Sequence, residues 1–172
     1  MRGIFLGLGS NCGDCMRLLR DALVLLEEVG VVCVKKSSVY ETAPVSADGG
    51  NFLNMVIEVE TNLNVDELMK TCLEVERRLG RVRGGVDSNS GLQWGARTID
   101  IDVLLYGDLV MDDGGFSGVL VPHKRMHERN FVLVPMVEIA VDLVHPVLKV
   151  SMGELLRMCG DENWVRLSEK SL

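Results

Sequence analysis

The stretch Gly3-Ile4-Phe5-Leu6-Gly7-Leu8-Gly9-Ser10 has the two-residue periodicity of a β-strand. Successive side chains of a strand point to opposite faces, so one face carries the aliphatic residues Ile4, Leu6 and Leu8. The other face carries Phe5, Gly7 and Gly9. Its two glycines favour close approach by a ligand or by another backbone. The stretch therefore predicts a first strand with one apolar face and one largely bare face.

Outward from this strand, helix and strand patterns alternate. Apolar residues at helical spacing predict a helix over residues 15–29, and β-branched residues predict a strand over 31–40. A second alternating stretch predicts a strand over 51–61. The next helix is expected to begin after Asn64, because Glu67 three residues later completes a capping box.

A further strand is predicted over residues 98–106, with its inward face formed by Ile99, Ile101, Val103 and Leu105. The resulting order, strand–helix–strand–strand–helix–strand, matches the split βαβ, ferredoxin-like plait with a mainly antiparallel sheet. Two more helices are predicted over 131–141 and 151–159, so we expect an α+β fold with helices on both faces of the sheet. At 172 residues, the whole chain (1–172) is expected to be a single domain.

Charge and composition disfavour several classes of protein. The chain has 18 Lys and Arg against 25 Asp and Glu, a formal net charge of −7, which argues against nucleic-acid or membrane-surface partners because both are polyanions. No run approaches the roughly 20 apolar residues of a membrane helix, and no signal-peptide pattern is present. We therefore expect a cytoplasmic protein, and we expect it to be a monomer. Five cysteines without a secretion signal do not predict a disulfide framework.

The strongest chemical feature is Arg97-Thr98-Ile99-Asp100-Ile101-Asp102. Residues i and i+2 of a strand share a face, so Asp100 and Asp102 are predicted to project side by side. Two carboxylates together with substrate phosphates are a typical Mg²⁺ site. The simpler interpretation is a pair of solvated aspartates on an exposed sheet face.

Arginines surround this pair in the sequence and favour the metal-phosphate interpretation. Arg81 and Arg83 lie at the start of a predicted Gly-rich loop over 81–95, and Arg97 follows it. Arg129 belongs to a second basic segment, which begins at His123. The arginine guanidinium matches phosphate oxygens in a bidentate manner. The chain has no GxxxxGK[ST] motif, so nucleotide binding has to depend on side chains.

Phe52 and Asn54 are predicted to share the strand face opposite the Leu53, Met55 and Ile57 stripe. A ring that stacks and an amide that pairs suit a flat heterocycle, although a core Phe and a surface Asn would give the same pattern. Phe131 is either a second stacking ring or a core residue. Trp94, between polar and glycine neighbours in the predicted loop, suits a residue that closes over a ligand.

Cys12-Gly13-Asp14-Cys15 is a CxxC motif at a predicted helix start. A helix N-terminus lowers the pKa of a thiol, which would suit redox chemistry, but the surrounding pattern is not thioredoxin-like. A zinc site would need a second pair of cysteines at similar spacing. An alternative function of a different class is a thiol protein or a regulatory nucleotide-binding protein that depends on Cys12 and Cys15 and catalyses no reaction.

Seven short motifs occur in the order typical of one known family. They are Leu8-Gly9-Ser10-Asn11, Ser37-Ser38-Val39-Tyr40-Glu41-Thr42-Ala43-Pro44, Phe52-Leu53-Asn54, Gly80-Arg81-Val82-Arg83, Trp94-Gly95-Ala96-Arg97-Thr98-Ile99-Asp100-Ile101-Asp102, Val121-Pro122-His123 and Arg129-Asn130-Phe131. On these residues the chain resembles the 6-hydroxymethyl-7,8-dihydropterin pyrophosphokinase family of folate biosynthesis. The resemblance implies a Mg-dependent transfer of pyrophosphate from ATP to the hydroxymethyl group of the pterin, with release of AMP.

The resemblance also implies roles for individual residues. Asp100 and Asp102 would bind two Mg²⁺ ions that bridge the ATP phosphates, and Arg81 and Arg97 would be the catalytic residues near the β-phosphorus. The expected ATP contacts are Glu76, Arg83, Trp94, Val103, His123 and Arg129. The expected pterin contacts are Thr42, Ala43, Pro44, Val45, Phe52, Asn54, Trp94 and Phe131. A different Mg-dependent enzyme that uses a nucleotide on the same plait would share the metal and ATP contacts but would lack the pterin contacts.

The chain departs from the family pattern at three residues and in one loop. Gln93 replaces a basic residue, Ala96 replaces a proline, and Leu73 replaces a glutamine that some members have near ATP. The segment 84–93 is longer than in members with a short loop. The acidic pair and the two expected catalytic arginines are retained.

Overall fold

The computed structural model describes residues 3–43, 50–81, 98–112, 118–170 and 172. These residues form six strands, which are β1 (Ile4–Ser10), β2 (Val32–Lys36), β3 (Tyr40–Thr42), β4 (Phe52–Glu60), β5 (Asp100–Tyr106) and β6 (Val165–Leu167). They also form four α-helices, which are α1 (Cys15–Glu28), α2 (Val65–Arg78), α3 (Asn130–Ala140) and α4 (Met152–Met158), and a short 3₁₀ helix at Met126–Glu128. The chain is thus a mixed α/β fold.

The six strands form one antiparallel sheet with β1 near its centre. The strand order is β5-β1-β4-β3-β6, and β2 pairs with β4 alongside β3. In this register Gly9 of β1 lies between Asn54 of β4 and Asp100 of β5. Gly7 lies in the same way between Val56 and Asp102. The register therefore brings the predicted amide and the predicted acidic pair to one face of the sheet.

Each face of the sheet has its own apolar core. Ile4, Leu6 and Leu8 are buried against helices α1 and α2, in a cluster that includes Leu19 and Leu68. On the opposite face, a cluster under α3 and α4 contains Phe5, Val56, Leu104, Leu133 and Met152. Helices therefore cover both faces, as the sequence predicts, and the bare glycines lie on the α3 side.

The helix starts follow the predicted capping chemistry. Asn64 Oδ1 accepts a hydrogen bond from the Glu67 amide at 3.0 Å, and Glu67 Oε2 accepts one from the Asn64 amide at 2.8 Å. This reciprocal pair satisfies two amides that an α-helix leaves without intrahelical partners. Ser151 and Glu154 form the same capping box at α4. None of the helices in the described part of the chain combines the length and apolar character that crossing a bilayer requires.

Three details differ from the sequence prediction. The strand expected over 31–40 is divided into β2 and β3. At Ser37 the backbone amide still donates to Val56 O at 2.9 Å, but the Val56 amide donates to the Ser37 hydroxyl at 3.0 Å in place of a backbone carbonyl. Leu105 was expected to face inward with Ile99, but the register shifts between Phe5 and Leu6, so Leu105 packs in the α3 cluster. That bulge adds one residue to β5 and reverses the faces beyond it. Strand β6 was not predicted.

Candidate active site

A cavity of about 450 Å³ lies between the bare face of the sheet and the first turn of α3. Gly7 and Gly9 form part of its floor. A Cβ atom at Gly9 would lie 2.7 Å from Oδ1 of Asn54, and one at Gly7 would lie 3.3 Å from the side chain of Leu104. Gly9 therefore gives Asn54 the space in which its amide lies across β1.

The acidic pair stands at the β5 side of this cavity. Asp100 and Asp102 both line it. Burial raises the pKa of Asp102 above its usual range, and the charge of Asp100 raises it further, while His123 and Arg129 act in the opposite direction. Repulsion between two neighbouring carboxylates is relieved by a nearby cation.

The pair fits a magnesium site completed by a ligand. Within the described residues, no group of three His, Cys, Asp or Glu side chains surrounds a metal position. The described chain offers two carboxylates on one strand face, and Mg²⁺ is commonly bound by one or two carboxylates together with substrate phosphates. A divalent cation would also neutralise the charge that raises the pKa of Asp102.

Arg81 and Glu76 join helix α2 to the acidic strand. The Arg81 guanidinium donates to Asp100 Oδ1 and, at 2.5 Å, to Glu76 Oε1. Glu76 is only 1% exposed, and the same Oε1 accepts the Ile101 amide at 2.8 Å. Glu76 thus fixes the backbone between the two aspartates, within the α2–β5 contact. Its predicted ATP contact stays a prediction.

The opposite end of the cavity carries the predicted heterocycle contacts. Thr42, Ala43, Phe52, Asn54 and Phe131 all line it. Asn54 Nδ2 donates to Thr42 Oγ1 at 2.8 Å, and both side chains are buried. This bond orients the amide, since a buried polar group is costly without a partner. The two rings come from different elements, strand β4 and helix α3.

A basic group lies beside the acidic pair. Arg129 lines the cavity, and its Cζ lies 5.4 Å from the ring centroid of Phe131, within cation–π distance. His123 is held by its amide, which donates to Leu104 O at 2.8 Å. Burial lowers the pKa of His123, an effect that the charge of Asp102 partly offsets. Val103, whose predicted ATP contact was through its backbone, buries its side chain in the α2 core.

A sequence model of the 7,8-dihydro-6-hydroxymethylpterin-pyrophosphokinase (HPPK) family matches residues 5–141. This chain belongs to the HPPK family. The matched residues include all seven motifs on which the resemblance was based, from Leu8 to Phe131. It ends before α4 and β6.

Curated relatives agree with the family match. The chain is 42% identical over 137 residues to a 2-amino-4-hydroxy-6-hydroxymethyldihydropteridine pyrophosphokinase of Bacillus subtilis, covering 78% of this chain and 76% of the relative. A protein of the same name from Methylorubrum extorquens is 40% identical over 146 residues, covering 84% of this chain and 86% of the relative. A longer relative, the folic acid synthesis protein fol1 of Pneumocystis carinii, is 32% identical, and this chain spans 20% of its length.

Solved structures show the same fold. The crystal structure of wild-type Plasmodium falciparum HPPK-DHPS is similar with a TM-score of 0.65 at 13% identity. The similarity covers 92% of this chain but only 45% of that one. This chain therefore spans less than half of the solved chain that it resembles.

Several HPPK-like site residues lie outside the described part of the chain. They are Pro44, Val45, Arg83, Trp94 and Arg97, together with the departures Gln93 and Ala96 and the predicted loop over 84–93. Their expected roles stay predictions.

The cavity also has lining residues that sequence reasoning missed. They are Asp161, Asn163 and Val165, whereas the lining residue Asn11 belongs to a predicted motif and Arg125 and Glu128 to the predicted basic segment. Asp161 and Asn163 have the two-residue spacing of an Asx-turn, which is a usable sequence signal. The sequence alone does not indicate which helix that turn meets, because the two segments are 31 residues apart.

Proposed function

We propose that this chain transfers pyrophosphate from ATP to the hydroxymethyl group of 6-hydroxymethyl-7,8-dihydropterin, with release of AMP. The observation that carries the proposal is the row Asn54–Gly9–Asp100 across three neighbouring strands. Neighbouring strands are about 4.8 Å apart, so the backbones of Asn54 and Asp100 stand about 10 Å apart on one cavity wall, with the Asn54 amide lying over Gly9 between them. That spacing suits an acceptor ring at one end and a polyphosphate at the other.

The reaction joins the pterin hydroxyl oxygen to the β-phosphorus of ATP. The bond between the β-phosphorus and the oxygen that bridges to the α-phosphorus breaks, and AMP leaves with that oxygen while the hydroxyl proton is released. Most of the catalytic effect in phosphoryl transfer comes from positioning and charge stabilisation. We propose that the cavity residues supply both.

Asp100 and Asp102 are the residues that would hold two Mg²⁺ ions. Bound there, the ions supply neutralisation of the polyphosphate and stabilise the attacking and leaving oxygens. Arg81, which donates a hydrogen bond to Asp100, would add positive charge near the same phosphates. Arg97 is proposed to act with it. His123 and Arg129 would bind phosphate oxygens on the far side of the pair.

The pterin would lie between Phe52 and Phe131, paired with Asn54 and with the backbone that begins at Thr42. Offset stacking between aromatic rings contributes about 1 kcal/mol beyond simple burial. Closing the site would exclude water, which otherwise competes with the pterin hydroxyl as acceptor. Trp94 is proposed to contribute to that closure.

The direct test incubates the protein with ATP, Mg²⁺ and hydroxymethyl-dihydropterin and separates the nucleotides. Pterin-dependent AMP with an equal amount of pterin pyrophosphate is expected. ADP in place of AMP, or AMP that does not depend on the pterin, would contradict the proposal. EDTA should abolish the reaction, and added Mg²⁺ should restore it.

Two alternatives make different predictions. Another Mg-dependent nucleotide enzyme would keep nucleotide binding but not bind pterin, so Asn54→Ala would leave its activity intact. A thiol-based protein would depend on Cys12 and Cys15, which are both free and partly exposed here. Under our proposal the double variant Cys12→Ser/Cys15→Ser keeps most of its activity.

We also infer a ferredoxin-like plait formed by one domain. The strand order β5-β1-β4-β2 and the two helices that follow β1 and β4 support this assignment. Both substrates are small molecules, and we propose that the enzyme acts as a monomer. Light scattering coupled to size exclusion tests the last point.

A further inference from the structure

The first turn of helix α3 carries Arg129 and Phe131 to the cavity, yet its own sequence stabilises it weakly. Arg129 is the N-cap and makes no capping hydrogen bond through its side chain. Pro135 lies inside the helix. Because proline has no N–H, the Phe131 carbonyl loses the helical hydrogen bond from position 135. This turn therefore depends on support from outside the helix.

Asp161, between α4 and β6, supplies such support. Its Oδ2 accepts the Asn130 amide at 2.9 Å, and its carbonyl accepts the Asn130 side-chain amide. Its Oδ1 accepts the backbone and side-chain amides of Asn163 at 3.0 and 2.6 Å. One carboxylate thus joins the start of α3 to the segment that leads into β6. A negative charge is favourable at a helix N-terminus.

The Asp161 carboxylate also interacts electrostatically with Arg129, which lines the cavity. Burial alone would raise the pKa of Asp161, but the hydrogen bonds from Asn130 and Asn163 and the charge of Arg129 lower it overall. Asp161 is therefore ionised at neutral pH. It lines the cavity together with Phe131, over whose ring Arg129 lies.

The far half of α3 is fixed independently of Asp161. Glu138 accepts hydrogen bonds from the Ser38 amide, the Ser38 hydroxyl and the Tyr40 hydroxyl at 2.9, 2.8 and 3.0 Å. Loss of Asp161 would therefore loosen the first turn and leave the rest of the helix docked on the sheet.

We propose that Asp161 is a positioning residue that holds Asn130 and thereby orients the Phe131 ring against the bound heterocycle. The inference rests on the proposed function and extends it beyond residues 5–141, which the family match covers. It places part of the pterin site under the control of the C-terminal segment.

The test compares Asp161→Ala with Ser151→Ala. Ser151 is a matched control because its hydroxyl caps α4 through the Glu154 amide at 3.2 Å, in the same segment but outside the described cavity wall. Both variants are expected to lower Tm. Asp161→Ala should raise KM for the pterin about tenfold and KM for ATP by less than about threefold, because a hydrogen bond to a charged group is lost at the pterin end. Ser151→Ala should change neither constant.

Two further variants separate positioning from other roles. Asp161→Asn keeps an oxygen that can accept the Asn130 amide. Its KM for the pterin should therefore be close to that of the wild type, unlike the KM of Asp161→Ala. If Asp161 acts through the ring, Asp161→Ala should have no further effect on this KM in a Phe131→Leu background. A full effect in that background would mean direct contact with substrate and would overturn the inference.

The experiment distinguishes failure of the positioning role from failure of the proposed function. An active wild type whose Asp161→Ala and Ser151→Ala variants share one KM for the pterin overturns the positioning role alone. A wild type without pterin-dependent AMP overturns the proposed function itself.

Discussion

Gly9 lies directly opposite Asn54 across the β1–β4 ladder, and a Cβ atom at Gly9 would stand 2.7 Å from Oδ1 of Asn54. The Asn54 amide thus occupies the space that a side chain at position 9 would otherwise fill. Asn54 is tied on its other side to Thr42 Oγ1 at 2.8 Å, so it cannot move away without breaking a buried hydrogen bond.

Gly9→Ala is therefore expected to displace Asn54 and to raise KM for the pterin about tenfold, the cost of one misplaced buried hydrogen bond. Gly7→Ala is the matched variant, because its Cβ would meet only the flexible side chain of Leu104 at 3.3 Å. It should have the smaller effect. Steady-state kinetics with the pterin varied measures both. Equal KM values in the two variants would contradict the assigned position of Asn54.

Asp102→Asn is expected to reduce kcat by about a hundredfold or more, since it removes a charged oxygen ligand from the proposed metal pair. Its Tm should not fall, because the substitution removes a charge that burial and repulsion from Asp100 both disfavour. Asp108→Asn, on an exposed aspartate just beyond β5, is the control. Similar kcat values for the two variants, or for Asp102→Asn and Cys12→Ser, would count against the metal assignment.

Glu76→Ala is expected to lower the free energy of unfolding by about 3 kcal/mol, because it leaves the partly buried Arg81 guanidinium and the Ile101 amide without this acceptor. Glu76→Gln keeps an acceptor oxygen and should lose less. Glu74→Ala, on the exposed side of the same helix, should leave unfolding in urea nearly unchanged. A Glu76→Ala variant as stable as Glu74→Ala would show that the contact does not stabilise β5.

Alkaline pH is expected to weaken the contact between α3 and β3. Burial raises the pKa of Tyr40 to about 12 from its ordinary value of 10.0, and its hydrogen bond to Glu138 adds to this. Between these two values the unfolded chain loses the tyrosine proton while the folded chain keeps its own, so stability falls as pH rises.

Tyr40→Phe removes that titration. It should be less stable than the wild type at pH 8, where the hydrogen bond is intact, but its stability should fall less steeply between pH 10 and 12. Urea unfolding at several pH values measures both slopes. Identical slopes would mean that Tyr40 is not the titrating group.

Local sequence signals predicted the elements of this fold well where one strong periodicity or cap was present. The Asn64–Glu67 capping box and the alternation of β1 both lie where expected. The prediction was wrong for Leu105, since a β-bulge depends on how two strands pair rather than on either sequence alone. It missed β6, a three-residue strand whose pairing with β3 is a long-range contact.

The residues of the candidate site also fall into two groups, those that one strand pattern predicts and those that depend on contacts between distant segments. The spacing of Asp100 and Asp102 is a property of one strand, so the sequence by itself placed them on one face. The sequence also identified Phe52 and Asn54 as neighbours on β4. Glu76 and Asp161 are different, because each acts on residues far along the chain.

By itself, the sequence determined the acidic pair, the glycine face of β1 and the family, because side-chain periodicity and short motifs are local properties. Only the tertiary structure decided that Asn54, Gly9 and Asp100 form one row, that Glu76 holds the acidic strand and that Asp161 holds the start of α3. The physical reason is that strand register and helix docking depend on the packing of two separate cores against one sheet. No single segment contains that information.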